Sequence, residues 1–192
     1  LCPLFPTEGA RGVVKSLVES EAFNGRYVSP NQYENELNVE AHYQTTGPEI
    51  WSQTEGKVEY FFAAFGTCGT ITGVGRYLKE RNPDVKIIGI EPASRGHKLS
   101  GIKKISTLPE EHRPKILDYS LLDDIIAVED NEAFDAAIRL ARTEGLMVGP
   151  TTGALLHAAQ LIGAENEGTA VVISPDDATK YISTYAEYLS EQ

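Results

Sequence analysis

Basic residues are scarce in this chain. Seventeen lysines and arginines stand against 28 aspartates and glutamates in 192 residues, a formal net charge of −11. A surface of that sign repels phosphodiester backbones and anionic headgroups, so no nucleic acid and no membrane is expected as a partner. Long apolar runs are absent too. None reaches the roughly 20 residues that span a bilayer, and nothing reads as a signal peptide. There are only two cysteines, Cys2 and Cys68, far apart in sequence and too few for a disulfide framework. His42, His97, His112 and His157 keep no metal-ligand spacing with one another or with the cysteines. Repeats and low-complexity tracts are missing. What remains is a cytoplasmic protein handling small molecules. Its 41% hydrophobic content suffices for the core of one domain, or one and a fraction.

The most informative stretch that is present runs from Val58 to Gly73. Residues 58–65 are apolar and read as a buried strand. They feed Gly66-Thr67-Cys68-Gly69-Thr70. Ile71, Val74 and Leu78 then recur at helical spacing, with Pro83 beyond the end. Strand, glycine turn and helix N-terminus together make a phosphate cradle. Glycines let the backbone approach an anion, the first helical amides have no partner within the helix, and the macrodipole favours negative charge there. Thr67 and Thr70 add hydroxyl donors. Spacing excludes two familiar alternatives. Gly66, Gly69, Gly73 and Gly75 do not give the G-x-G-x-x-G of a dinucleotide site, although acidic Glu91 lies roughly 20 residues on. No Gly-Lys-Ser/Thr follows, so the Walker motif fails as well.

Elsewhere, residues 1–5 read as the tail of a strand. A helix opens at Glu8 with Val13, Val14, Leu17 and Val18 in helical spacing, Asn24-Gly25 closes it, and residues 26–28 read as a short strand. Residues 31–44 are polar and read as mostly irregular. Thr46-Gly-Pro-Glu49 fits a capping box. Further strands are expected at 86–90, 125–128 and 170–173. Helices are expected after a cap at Asp130 or Asn131, ending at Gly145, then over 154–162, and after Pro175-Asp-Asp177. Residues 93–119, punctuated by Pro109 and Pro114, form a long excursion of the kind that carries function. A second glycine turn, Gly149-Pro-Thr-Thr-Gly153, follows Met147-Val148. Strands alternating with helices predict an α/β fold, a parallel sheet with helices on both faces. Both glycine turns then face one crevice at the carboxyl ends of the strands.

Gly66-Thr-Cys-Gly-Thr-Ile-Thr-Gly73 resembles the phosphate loop of the pyridoxal-phosphate enzymes of the cysteine synthase and cystathionine β-synthase family. Asn31-Gln-Tyr33, Ala41-His-Tyr-Gln-Thr-Thr-Gly-Pro-Glu-Ile50, Arg76-Tyr-Leu-Lys-Glu80, Ile87-Ile-Gly-Ile-Glu-Pro92, Glu144-Gly-Leu146, Gly149-Pro-Thr-Thr-Gly153 and Lys180-Tyr-Ile-Ser-Thr184 resemble family segments in family order. The resemblance covers nearly the whole chain. It implies the large domain of a fold-type II pyridoxal-phosphate enzyme over 31–192, with 1–30 a remnant of the small N-terminal domain. It implies that Gly66, Thr67, Cys68, Gly69 and Thr70 hold the phosphate of pyridoxal 5′-phosphate, and that Thr151 stands beside the pyridine nitrogen. A hydroxyl there donates to a neutral nitrogen and leaves a weaker electron sink than a carboxylate partner would. That suits loss of a β-substituent and addition of a nucleophile rather than transamination. Without the resemblance, Thr151 reads as an ordinary helix cap. The implied activity is β-replacement on an activated serine, O-acetylserine or O-phosphoserine, by a sulfur nucleophile to give cysteine. The implied assembly is a homodimer. A cystathionine β-synthase-type lyase, or a non-catalytic fragment or partner-binding subunit that keeps the fold, are the alternatives.

The chain also departs from the family pattern. Cys68 stands where glycine is usual. Its side chain calls for an L-residue backbone conformation, and it reads as a small buried thiol without a redox role. Asp176-Asp177-Ala178 replaces a serine-glycine combination and reads as an exposed acidic turn. The Schiff-base lysine motif and the segment that grips the substrate carboxylate are not found. No catalytic residue is therefore assigned, and this chain alone is expected to be inactive. In the excursion, Gly101 matches a close-approach glycine at the substrate entrance. Lys103 matches a position that is basic in some relatives using O-phosphoserine. Lys103 and Lys104 also read as solvated surface charges, and Arg95, Lys98 and Lys104 are candidates for the same role.

Overall fold

The computed structural model describes residues 9–20, 26 and 28–191. The strand expected at 1–5 and the Asn24-Gly25 helix end lie outside them. Two compact units are present, Leu1–Gln32 and Tyr33–Gln192. The first contains helix α1 (Gly9–Glu19), where the valine and leucine spacing predicted one. Val28 is 94% exposed and has no strand geometry, so the expected short strand is not formed at its described positions.

The second unit begins with helices α2 (Glu36–Gln44) and α3 (Thr46–Gln53) and is built on a sheet of strands β1 (Val58–Ala64), β2 (Lys86–Pro92), β3 (Asp124–Val128) and β4 (Thr169–Val172). All pairings are parallel, in the order β3-β2-β1-β4. Parallel neighbours need crossovers. Helix α4 (Gly69–Arg81) links β1 to β2, while α5 (Asp130–Glu144) and α6 (Pro150–Gly163) lie between β3 and β4. Side-chain alternation assigns the two faces. Phe61, Ala63 and Ile87 pack with Ile71, Val74 and Leu78 of α4. Phe62, Ile88 and Ile90 pack with Ala133 of α5 and with Ala154, Leu155 and Ala158 of α6. Helices therefore cover both faces, as predicted. Val58 and Tyr60 break the alternation, serving opposite faces from like positions. The register explains it: Val58 pairs with Thr169 and Tyr60 with Ala170, so Glu59 is the extra residue of a bulge. Its carboxylate accepts the Thr169 amide at 2.9 Å.

Several local expectations need correction. Helix α2 occupies ground that reads as irregular; Asn35 caps it by accepting the Leu37 amide at 3.0 Å. Helix α3 is preceded by Thr45 with no side-chain cap, so the Thr46–Glu49 capping box does not form. Helix α5 is capped by Glu129 in reciprocal bonding with Glu132, one residue before the predicted caps. Its end at Gly145, in the left-handed region with φ +73°, is as predicted. Helix α6 starts at Pro150 rather than 154, because the glycine turn is itself helical and proline suits the first helical position. The excursion 93–119 contains short 3₁₀ turns and is pinned from below. Buried Glu91 accepts the Ser106 amide at 2.9 Å and its hydroxyl at 2.6 Å. Helix α7 (Ile182–Ser190) follows a 3₁₀ turn and stacks Tyr188 on Phe134 of α5. Among the described residues, no helix is long and apolar enough to cross a membrane.

Candidate cofactor site

The chain leaves β1 towards β2 on one side and returns as β4 on the other. That reversal opens a crevice at the carboxyl ends of β1 and β4. A cavity of about 310 Å³ lies there. Its walls come from Gly66, Thr67, Cys68 and Thr70 after β1, from Ser100, Gly101 and Ile102 after β2, from Thr151 and Leu155 of α6, and from Asp176 and Tyr181 after β4. Both glycine turns face it.

The turn after β1 has the donors that the sequence promised. The first amide to bond back along α4 is Thr72, to the Cys68 carbonyl at 3.1 Å. The amides of residues 67–71 have no backbone acceptor among the described residues. Gly69 does not line the cavity but sits under the turn, where an added Cβ would fall 2.1 Å from Asn38 Oδ1. Asn38, on α2, donates from Nδ2 to Thr67 Oγ1 at 3.1 Å. One helical turn on, His42 Nε2 lies 3.1 Å from Thr70 Oγ1. Cys68 corrects the sequence expectation. Its φ is +73°, the left-handed region favoured by the glycine usual there, so the turn holds a conformation costing a side-chain-bearing residue about 1 kcal/mol. The thiol is buried, and desolvation pushes its pKa up to about 12, against a smaller opposing pull from the Lys103 charge. It stays protonated at neutral pH.

Thr151 is buried at the second position of α6, its Oγ1 3.4 Å from the Ser100 carbonyl oxygen it donates to. Gly101 is exposed with φ +89°, a conformation that favours glycine. Lys103 is not in this cavity. It lines a neighbouring one, also about 310 Å³, that shares Ile102 with the first. Its ammonium donates to Tyr33 Oη at 3.3 Å and lies 4.7 Å from the centre of that ring. The other excursion cations have partners of their own: Arg95 and Lys104 bond the carbonyls of Thr107 and Ala93, and Lys98 pairs with Glu187.

Asp176 is the second correction. Its side chain is only 14% exposed, so it is not an exposed acidic turn. One oxygen accepts the Tyr181 hydroxyl at 2.6 Å, and the other is buried without a partner among the described residues. Burial, then that carboxylate, raises the Tyr181 phenol to about 12. Asp177 does stay at the surface, accepting the Thr179 amide at 2.8 Å. Asn38, His42 and Tyr181 are site residues that sequence reasoning did not single out. The signal for the first two was their spacing of four, which only matters once α2 is known to be a helix. Among the described residues, no cluster of histidine, cysteine or carboxylate side chains could hold a metal.

A family model described as "Pyridoxal-phosphate dependent enzyme" matches residues 6–176. The chain is 38% identical over 187 residues to a cysteine synthase of Aquifex aeolicus, covering 95% of this chain and 56% of that protein. It is 40% identical to a cysteine synthase B of Pseudomonas aeruginosa, covering 92% and 57%. Among solved structures, the cysteine synthase of Entamoeba histolytica superposes with a TM-score of 0.79 at 31% identity, covering 92% of this chain and 53% of that one. The chain thus spans little more than half the length of these relatives. The donor set fits the cofactor's phosphate: Thr67, Cys68 and Thr70, whose amides have no backbone acceptor among the described residues, line one wall of the cavity at a helix N-terminus, and two of them add hydroxyls.

Proposed function

Because this chain belongs to the pyridoxal-phosphate-dependent enzyme family, of the cysteine synthase type, we propose that it supplies the cofactor-holding part of an enzyme making cysteine by β-replacement on an activated serine. The observation that carries this reading is the run of amides at 67–71 without backbone acceptors among the described residues, of which Thr67, Cys68 and Thr70 line a cavity that Thr151 also lines. When bound, pyridoxal phosphate supplies an electron sink for the amino acid's carbon skeleton. The residues of this chain grip and orient it. The amides of Thr67 to Thr70 and the hydroxyls of Thr67 and Thr70 take the phosphate, while Gly66, whose own amide donates to the Ala64 carbonyl at 3.1 Å, lets the backbone approach it. Thr151, turning from the Ser100 carbonyl, donates to the ring nitrogen. Gly101 borders the amino-acid substrate. The Schiff-base lysine comes from a segment other than these 192 residues, and this chain by itself is inactive. The same reading gives a cytoplasmic homodimer.

For the donor, we propose that O-phosphoserine is accepted as well as O-acetylserine. Lys103 stands one residue beyond Ile102, the side chain shared by both cavities. Its ammonium can pair with a phosphate leaving group and gains less from a neutral acetyl ester. In the protein that carries this chain together with its lysine segment, cysteine formation from sulfide should proceed with either donor. Lys103→Ala should lower kcat/KM for O-phosphoserine about tenfold and leave O-acetylserine nearly unchanged. Equal effects on both donors remove Lys103 from the donor site, and no cysteine from either donor overturns the functional reading.

A further inference from the structure

His42 sits in a chain of hydrogen bonds behind the cradle. Its Nε2 lies 3.1 Å from Thr70 Oγ1, and its Nδ1 lies 2.9 Å from Thr46 Oγ1, the first residue of α3. Burial lowers its pKa, so at neutral pH the ring is uncharged and carries one proton. Only one of its nitrogens can then donate. With the proton on Nδ1, Nε2 must take the hydrogen of Thr70, and that hydroxyl meets an anion with lone pairs only. With the proton on Nε2, the ring donates to Thr70 Oγ1, Thr46 donates to Nδ1, and the Thr70 hydrogen is free to turn towards the cavity.

Which arrangement holds matters here because, among the described residues, no lysine or arginine lines the cavity, and Asp176 does. An anion in the cradle is held by dipoles, so each correctly turned donor counts. The second cradle hydroxyl is prepared in the same way. Asn38 donates to Thr67 Oγ1, which leaves the Thr67 hydrogen free as well. Helix α2 thus presents, four residues apart, two side chains that each donate to a cradle hydroxyl.

We propose that a phosphate in the cradle and the Nε2–H tautomer of His42 select one another, making His42 a positioning residue that aims the Thr70 hydroxyl at the anion. This rests on the reading of residues 66–70 as a phosphate site. The test labels the histidines of the full 192-residue chain with nitrogen-15 and titrates it with inorganic phosphate and with pyridoxine 5′-phosphate. The latter carries the phosphate but no aldehyde that could attach to a lysine. At saturation, His42 should show a protonated Nε2 and a bare Nδ1. His42→Ala should weaken binding about tenfold, the scale of one hydrogen bond to a charged group. His42→Gln, which keeps an amide donor, should restore most of it. A protonated Nδ1 at saturation, or unchanged His42 shifts with equal affinity in all three proteins, overturns the relay and leaves the cradle intact. Should the unsubstituted chain bind neither phosphate, the cradle reading falls and the relay with it. The tautomer is read on unsubstituted protein, so a poorly folding variant does not blunt the test.

Discussion

Gly69→Val is expected to weaken phosphate binding severely while the fold stands. A Cβ at this position meets Asn38 Oδ1 at 2.1 Å and Nδ2 at 2.8 Å. The obstacle is the end of a side chain, which can rotate away without moving the backbone. What is lost is the Asn38 bond to Thr67 and the room for an anion against the first amides of α4. Two weakened donors and a branched side chain beneath the turn should reduce affinity for pyridoxine 5′-phosphate about a hundredfold. The thermal midpoint should stay within a few degrees of the parent. Unchanged affinity would falsify the phosphate assignment.

Gly73→Val should do the reverse and strike the fold first. Its added Cβ would lie 2.4 Å from the Val39 carbonyl oxygen and 3.0 Å from the Tyr43 nitrogen, both backbone atoms of α2. Backbone cannot rotate aside, so α2 must lift from α4 and uncover Val39, which is 1% exposed. Overpacking of this kind costs about 3 kcal/mol. It should appear as a lower urea midpoint with an unchanged slope. Because α2 also carries Asn38 and His42, phosphate affinity should fall in the protein that still folds. A midpoint equal to that of the parent would show that the two helices can separate freely.

The contrast between these glycines explains what the sequence did and did not disclose. The sheet and the cradle were legible because apolar runs and glycine turns have a period and a chemistry of their own. Helix α2 was not. It buries only Val39 in full and is held by close approach to the glycines of α4 rather than by an apolar stripe. Cys68 was read from its residue type, yet the turn imposes a left-handed backbone whatever residue occupies it. Asp176 was read as surface because aspartate usually is. Its burial depends on Tyr181 being folded back over it by a 3₁₀ turn five residues on. Lys103 was read from the resemblance as a donor-site cation, or else as a solvated surface charge, but its partner Tyr33 is 70 residues away, a distance no local pattern reports.

Strand β1 is bonded on both sides, by β2 and β4, and Phe61 and Phe62 at its centre have no exposed surface. The cradle hangs directly from its end. The facing wall is less tied: Ser100 to Ile102 belong to an irregular segment, and Asp176 is held by a single antiparallel bridge, Val148 to Asp177, where its carbonyl accepts the Gly149 amide at 3.0 Å. Local opening should therefore cost least at that wall and most at β1. In hydrogen exchange, the amides of 59–64 should outlast those of 99–107 and 174–177 by orders of magnitude. The crevice works as a clamp with one fixed jaw. An anion bound at the cradle would rest on the part of the molecule that opens last, so movement of the opposite wall need not loosen the grip on it.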